Sequence, residues 1–284
     1  MQYGINPIQM YKDNGYAAYS VASSSQSPWQ SLYYIKEACK TQPPKMVILD
    51  TYKMATPDYR DYQTVNNLLN APLSIDKCLA VMESIADSRL SVLFRFPYIH
   101  DDYNGFKGFG LDKFYGIQLF SMGYSYNNNI DTSEQELYSL TDARDITESE
   151  AISEKDERSL RKIIEYCKAN DIEVILINAP WPMIEKYRER KFNYIKEIAS
   201  EYDVRFIDGN ICWNEMGIDW TTDTFGDYGH MNHYGVTKFT KYVDSIIDRD
   251  YSLPDRRNDS GYEAYDKGVD WLLTINSKND KMFN

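Results

Sequence analysis

The most chemically informative stretch of this sequence is a polar, glycine-bearing loop at residues 223–235, directly before an amphipathic segment. Within it, Asp227 and His230 lie three residues apart, close enough on one turn for the carboxylate to accept a hydrogen bond from the imidazole. Such a pairing fixes the imidazole tautomer and stabilises the imidazolium that forms when the ring takes a proton. The spacing therefore indicates a general base. The alternative is structural: Asp227 and Asn232 cap the following helix, and His230 lies in an ordinary loop.

The other two histidines indicate less chemistry. His233 is expected to be a surface residue at the start of a helix, and the sequence His100-Asp101-Asp102 does not define a coordination geometry, so no metal site is predicted. Neither a P-loop nor the G-x-G-x-x-G pattern of dinucleotide sites occurs, because the glycines of residues 105–110 have the wrong spacing. No cofactor is expected.

A second polar constellation is the serine-rich turn at residues 20–29, which precedes a segment of helical periodicity. Backbone N–H groups in such a turn can bind an anion or an oxyanion, which makes Ser25 and Gln26 candidates for that side of a site. The alternative is an ordinary N-cap turn with redundant hydroxyls. No G-x-S-x-G elbow occurs, so the usual signature of α/β-hydrolases is missing.

The elements that must position these residues alternate along the chain. The apolar periodicity predicts helices at residues 29–41, 75–88, 153–167, 183–202 and 234–249, and strands at 46–49, 91–98, 173–178 and 204–208. In the second helix, Leu79 and Met82 are expected to face the core. The alternation predicts an α/β fold with a mainly parallel sheet and helices on both faces. Ligands of such sheets bind outside the carboxyl ends of the strands, where Asp50 follows the first predicted strand.

Length, composition and charge exclude several classes of protein. The 284 residues carry 31 Lys+Arg against 43 Asp+Glu, a formal net charge of −12, which argues against a nucleic-acid partner. No run of about 18 apolar residues is present, so no membrane span is predicted, and no export signal is visible. We expect a single domain at residues 1–252, with an irregular insertion at about 100–150, and a C-terminal surface tail at 253–284.

The sequence resembles the SGNH/GDSL hydrolase superfamily, and within it the bacterial branch related to cell-envelope polysaccharide O-acetyltransferases and the D-alanyl-transfer protein of teichoic acids. The likeness lies in residues 22–29, residues 45–50, residues 253–257 and, most specifically, the block Asp227-x-x-His230-x-Asn232-x-x-Gly235. The resemblance implies a three-layer α/β/α sandwich of SGNH or flavodoxin-like type. It also implies a serine esterase or O-acyltransferase that acts on acyl esters of cell-envelope carbohydrate.

The resemblance also implies roles for individual residues. His230 would be the base and Asp227 the acid that orients it, while Ser25, Gln26, Asn232 and Asp50 would lie on the oxyanion or substrate side. The superfamily's nucleophile is a serine just after the first strand, in a Gly-x-Ser-His sequence that would come immediately before Met1. We therefore expect the first strand and the nucleophile to be encoded upstream of this chain. Proteins of the branch that this sequence resembles are typically membrane-anchored and act outside the cytoplasm.

Two alternatives belong to other functional classes. The first is a non-catalytic glycan-binding protein, because the chain has 25 tyrosines and those of residues 98–126 could stack on sugar faces. The second is a receiver-like signalling domain that uses Asp50, but the sequence lacks the paired acidic site that this would need. The expected partner is a carbohydrate or an acylated small molecule.

Overall fold

The computed structural model describes residues 4–69, 71–85, 89–94, 120–130, 142–225 and 229–280, and within them the chain is mixed α/β. The described helices are α1 (Pro7–Asn14), α2 (Pro28–Thr41), α3 (Tyr52–Ala55), α4 (Asp61–Leu69), α5 (Ile75–Ser84), α6 (Arg89–Phe94), α7 (Glu154–Ala169), α8 (Lys186–Glu201), α9 (Gly209–Met216), α10 (His233–Asp250) and α11 (Glu263–Asp280). The described strands are β1 (Met46–Asp50), β2 (Glu173–Asn178) and β3 (Arg205–Asp208).

The described strands form one parallel sheet in the order β1-β2-β3. Leu49 pairs with Leu176, and Ile177 pairs with Ile207, so the carboxyl ends of the three strands meet at one edge. After Glu173, every residue of β2 is buried, as expected for a continuous apolar run between two neighbouring strands. The predicted strands at 46–49, 173–178 and 204–208 are confirmed.

The side chains of β2 alternate between two apolar clusters. Val174 and Leu176 pack with residues of α2, α7 and α8, whereas Ile175 and Ile177 pack with residues of α10. A strand sends successive side chains to opposite faces, so helix residues pack on both sides of β2. The predicted helices at 29–41, 153–167, 183–202 and 234–249 correspond to α2, α7, α8 and α10.

Two expectations for the segment before residue 100 are wrong. The strand predicted at 91–98 is in part the helix α6, and residues 95–98 lie outside the described residues. In α5, Leu79 and Met82 are 45% and 56% exposed, whereas Ala80 and Val81 are buried. The buried residues of α5 are Lys77, Ala80 and Val81, and the Lys77 ammonium donates to the carbonyls of Leu69 and Ala71. Because Ala80 and Val81 come three and four residues after Lys77, the three side chains share one face of the helix, and the larger Leu79 and Met82 lie outside it.

The C-terminal segment contributes a helix that the sequence analysis did not predict. In α11, Leu272 is fully buried, and the Tyr265 ring lies 5.0 Å from the Tyr11 ring of α1. Gly268 packs so closely on α1 that a Cβ there would lie 2.4 Å from the Ile8 Cδ1. The helix α11 is therefore packed against α1.

A buried acid lies where α1 packs on α10. The backbone N–H of Asn6 donates to Thr240 Oγ1 at 3.0 Å, and one turn further along α10 Asp244 is only 2% exposed. Neither carboxylate oxygen of Asp244 accepts a hydrogen bond from a described residue. Burial, reinforced by the charges of Asp13 and Asp248, raises the pKa of Asp244 to about 7. Asp244 therefore favours its protonated form in the folded chain.

Because burial raises the pKa of Asp244 from 3.8 to about 7, the folded chain keeps a proton that the unfolded chain releases, and the free energy of unfolding is expected to fall as the pH rises from about 4 to about 7. Asp244→Asn is expected to raise the free energy of unfolding by about 2 kcal/mol at pH 8 and to change it little at pH 4. Denaturant unfolding of the two chains at both pH values measures this. Asp270→Asn, an exposed change on α11, is the control. An equal effect of Asp244→Asn at both pH values would contradict the prediction.

Candidate functional site

His230 lies at the carboxyl edge of the sheet, between the rings of two aromatic residues. The Phe225 ring stacks on the imidazole at 5.9 Å and 21°, and the Trp181 ring meets it edge-on at 5.5 Å and 85°. Trp181 belongs to the segment that directly follows β2. The imidazole side chain itself is exposed to solvent. The arrangement thus presents an accessible base beside an aromatic surface.

The two loops that bring Trp181 and His230 together touch closely. Gly229 has φ 129°, and a Cβ at this position would come within 2.7 Å of the Pro182 ring. Only glycine fits both that conformation and that distance. The backbone N–H of Phe225 donates to the carbonyl of His230 at 3.1 Å, which closes the His230 loop on itself.

Asn232 holds the far end of this loop from a fully buried position. Its Oδ1 accepts from the backbone N–H groups of Tyr234 and Gly235 and so caps α10. Its Nδ2 donates to three carbonyl oxygens, those of Asn129, Thr222 and Thr224. These bonds give Asn232 the helix-capping role that the sequence offered as an alternative. Its proposed place on the substrate side remains a prediction.

The other predicted site residues are placed as follows. Asp227 lies outside the described residues, so its pairing with His230 stays a prediction. Asp50 is half-buried and accepts from the backbone N–H of Tyr52 at 2.9 Å. The Tyr52 ring lies 5.9 Å from the Trp181 ring, so the end of β1 reaches the aromatic surface beside His230.

The described hydrogen bonds of the serine-rich turn join its residues to one another, to α2 and to α4. Gln26 Oε1 accepts from the backbone and hydroxyl of Ser23, and Gln26 Nε2 donates to Ser31 Oγ at 2.8 Å. Ser25 has φ 50°, a left-handed conformation that is uncommon for a residue other than glycine. The neighbouring Ser24 accepts from Gln63 of α4. This turn is thus fastened to α2 and α4, and its role toward an oxyanion remains a prediction.

Aromatic neighbours of the site are the main feature that sequence reasoning missed. Trp181, Phe225 and Tyr52 were not predicted as site residues, and the guanidinium of Arg188 lies over the Tyr52 ring at 5.5 Å. The sequence does contain a signal for Trp181, because Pro180-Trp181-Pro182 directly follows β2, at the edge where ligands of parallel sheets bind.

The predicted surface position of His233 is wrong. His233 begins α10 as expected, but it is buried, and its ring lies 4.7 Å from the Tyr126 ring. Its backbone N–H donates to the carbonyl of Asn127 at 2.5 Å. The segment 124–130 therefore covers the helix start, a long-range contact that no local pattern reveals.

Two buried carboxyls lie near the base of the Trp181 loop. Asp208 ends β3, and Glu189 lies on α8. Burial, followed by the charge of Asp208, raises the pKa of Glu189 to about 8, and burial also raises the pKa of Asp208. Within the residues that the structure describes, no group of three or more His, Cys, Asp or Glu side chains is arranged to hold a metal ion.

Comparison with known proteins gives one match. The model of an uncharacterised family matches residues 133–252, which include β2, β3, the His230 loop and α10. No curated protein and no solved structure matches the chain.

Of the helices that the structure describes, none combines the length and apolar composition needed to cross a bilayer.

Proposed function

We propose that this chain is an SGNH-type serine esterase or O-acyltransferase that acts on acyl esters of cell-envelope carbohydrate, with His230 as its base. The observation that carries the proposal is the placement of His230. An exposed imidazole lies at the carboxyl edge of a parallel sheet, between Trp181 and Phe225. Ligands of such sheets bind at this edge, and a base must be open to its substrate.

The proposed reaction has two steps. His230 first takes the proton of a serine hydroxyl while the serine oxygen attacks the acyl carbon, and the sugar alcohol leaves with the proton that the imidazolium returns. The resulting acyl-serine is then attacked by water or by another sugar hydroxyl, whose proton His230 takes and passes back to the serine. Asp227 is proposed to accept a hydrogen bond from the imidazole and to stabilise its charged form.

The carbohydrate part of the proposal is supported by the aromatic surface. Trp181 lies next to His230 and Tyr52 lies next to Trp181, and aromatic rings pack well against the apolar faces of sugar rings. The formal net charge of −12 is compatible with a neutral glycan and unfavourable for an anionic one.

The SGNH-type sandwich is supported by the two faces of the sheet and by its edge. Side chains of β2 enter separate apolar clusters on opposite faces. Among the described strands, β1 has β2 as its one neighbour, and Met46, Val47 and Ile48 are only partly buried. A further parallel strand beside β1 would bury them, and this is where we propose that the nucleophile-bearing strand pairs.

Acetate release from O-acetylated oligosaccharides tests the proposed activity. The chain extended by the residues encoded upstream of Met1 is expected to release acetate, and residues 1–284 alone are expected to do so poorly or not at all. Robust turnover by residues 1–284 that Ser25→Ala abolishes would place the nucleophile in the serine-rich turn instead. Absence of turnover by both chains would contradict the proposal.

A non-catalytic glycan-binding protein is the second candidate, and the pair Trp181–Tyr52 favours it. Both candidates predict that Trp181→Ala weakens oligosaccharide binding about tenfold, which corresponds to about 1.4 kcal/mol. Calorimetric titration with a non-hydrolysable oligosaccharide measures the effect. Tyr62→Ala, which removes an exposed aromatic ring of α4, is the matched control and should bind as the unchanged chain does. Equal affinity of all three chains would show that Trp181 contacts no sugar.

A further inference from the structure

A chain of buried hydrogen bonds connects Glu189 to the loop that carries Trp181. Asn210 is at its centre: its Oδ1 accepts from the backbone N–H of Trp181 at 2.8 Å, and its Nδ2 donates to Glu189 Oε1 at 2.5 Å. Asn210 lies in the first turn of α9, where Asp208 caps the helix by accepting from the Asn210 backbone N–H. The side chains of Glu189, Asn210 and Asp208 are all buried. The Trp181 backbone is thus held by Asn210, 29 residues away in sequence, which is in turn held by Glu189 of α8.

We propose that Glu189 is a positioning residue for the functional site: through Asn210 it holds the Trp181 backbone, and with it the ring that packs against His230. The effect of this relay of contacts on turnover rests on the proposed function. The positioning of the Trp181 ring beside His230 does not, because it is inferred from the contacts of Glu189, Asn210 and Trp181 alone.

The relay requires that Glu189 and Asp208 are not both ionised. Glu189 and Asp208 are two carboxyls in a site closed to water, so each disfavours the ionisation of the other. The other ionisable groups that act on the pair are Arg188 and Lys196 of α8 and Cys212 of α9.

One buried acceptor completes this cluster. Asn178 donates through Nδ2 to Asp208, while its Oδ1 is buried and accepts no hydrogen bond from a described residue. Asn178 thus brings an unused buried acceptor to the residue that bonds Asp208. A second ionisation would place two negative charges together without water, and we expect it to loosen the Asn210–Trp181 contact.

Two substitutions separate positioning from simple packing. Glu189→Gln keeps an acceptor for Asn210 and is neutral at every pH, so it should preserve the relay. Glu189→Met fills the same space without an acceptor and should release the Trp181 loop. Glu197→Gln, an exposed change on the same helix, is the matched control. The readout is the imidazole NMR signal of His230, which His230→Ala identifies among the three histidines.

We expect Glu189→Gln and Glu197→Gln to leave the His230 signal in its original place, and Glu189→Met to shift it in the direction of Trp181→Ala. Above about pH 8, the signal of the unchanged chain should move and that of Glu189→Gln should not. A folded Glu189→Met chain with an unshifted His230 signal would overturn the proposal. Should that variant not fold, equal alkaline responses of Glu189→Gln and the unchanged chain would overturn it.

The same variants distinguish this proposal from the proposed function. Where the upstream-extended chain releases acetate, Glu189→Met should lower kcat/KM by about tenfold to a hundredfold, and Glu189→Gln should retain it. If the His230 signal responds as expected but no chain releases acetate, the positioning relay stands and the esterase proposal fails. If acetate is released equally by all variants, the relay plays no part in turnover.

Discussion

Replacement of His230 by alanine is expected to lower kcat/KM for acetyl-ester hydrolysis by about 10²- to 10⁴-fold, because a general base contributes on that scale. The imidazole is exposed, so its removal leaves no buried cavity. The stability of the chain should therefore change by less than about 0.5 kcal/mol. Initial rates on O-acetylated oligosaccharides, together with denaturant unfolding of both chains, measure the two effects.

Binding provides the control for this variant. The His230→Ala chain keeps Trp181 and Tyr52, and its affinity for a non-hydrolysable oligosaccharide should stay close to that of the unchanged chain. A loss of turnover with binding retained is the signature of a catalytic base. Turnover that survives His230→Ala would remove His230 from the mechanism and would leave the glycan-binding alternative as the better account of the aromatic surface.

Asn232→Ala is expected to be the most destabilising single change in the His230 loop. It removes the cap of α10, worth about 1 kcal/mol, and it leaves the carbonyls of Asn129, Thr222 and Thr224 without their common donor. Thr224 is buried, so its carbonyl left unsatisfied costs about 1 kcal/mol or more, whereas Asn129 and Thr222 are exposed and their carbonyls can bond to water. We expect a loss of about 3 kcal/mol in the free energy of unfolding and a fall in Tm of roughly 6 °C.

Asn232→Asp separates the two contributions of this residue. Aspartate keeps the acceptor for the N–H groups of Tyr234 and Gly235, but it cannot donate to the three carbonyls. Helix α10 should therefore stay capped while the His230 loop is weakened. An Asn232→Ala chain whose unfolding is unchanged would mean that the described hydrogen bonds do not stabilise the loop.

The parallel sheet was predictable because its strands are short, continuous apolar runs separated by amphipathic segments. The inward face of α5 was not predictable, because its buried residues are Lys77, Ala80 and Val81, whereas apolar periodicity assigns the inward positions to large apolar side chains such as Leu79 and Met82. Helix α11 was missed for a similar reason. Its sequence is largely polar, and among its described side chains the fully buried one is Leu272, which packs with Ile8 of α1.

The sequence predicted only those residues of the candidate site that lie close together along the chain. His230 was found because its loop combines glycines, acids and a helix start within 13 residues, 223–235. Trp181 was missed because it meets His230 across two loops that are separated by α8, β3 and α9. The relay through Asn210 and Glu189 is likewise a product of the fold, since its members come from different helices.

The central claim, that His230 activates a serine nucleophile, is tested most directly with a fluorophosphonate probe. The upstream-extended chain is expected to acquire the probe on one serine, as shown by mass spectrometry of the digested protein, and His230→Ala is expected to abolish the labelling. An extended chain that binds oligosaccharide but does not react with the probe would contradict the claim and identify a glycan-binding protein.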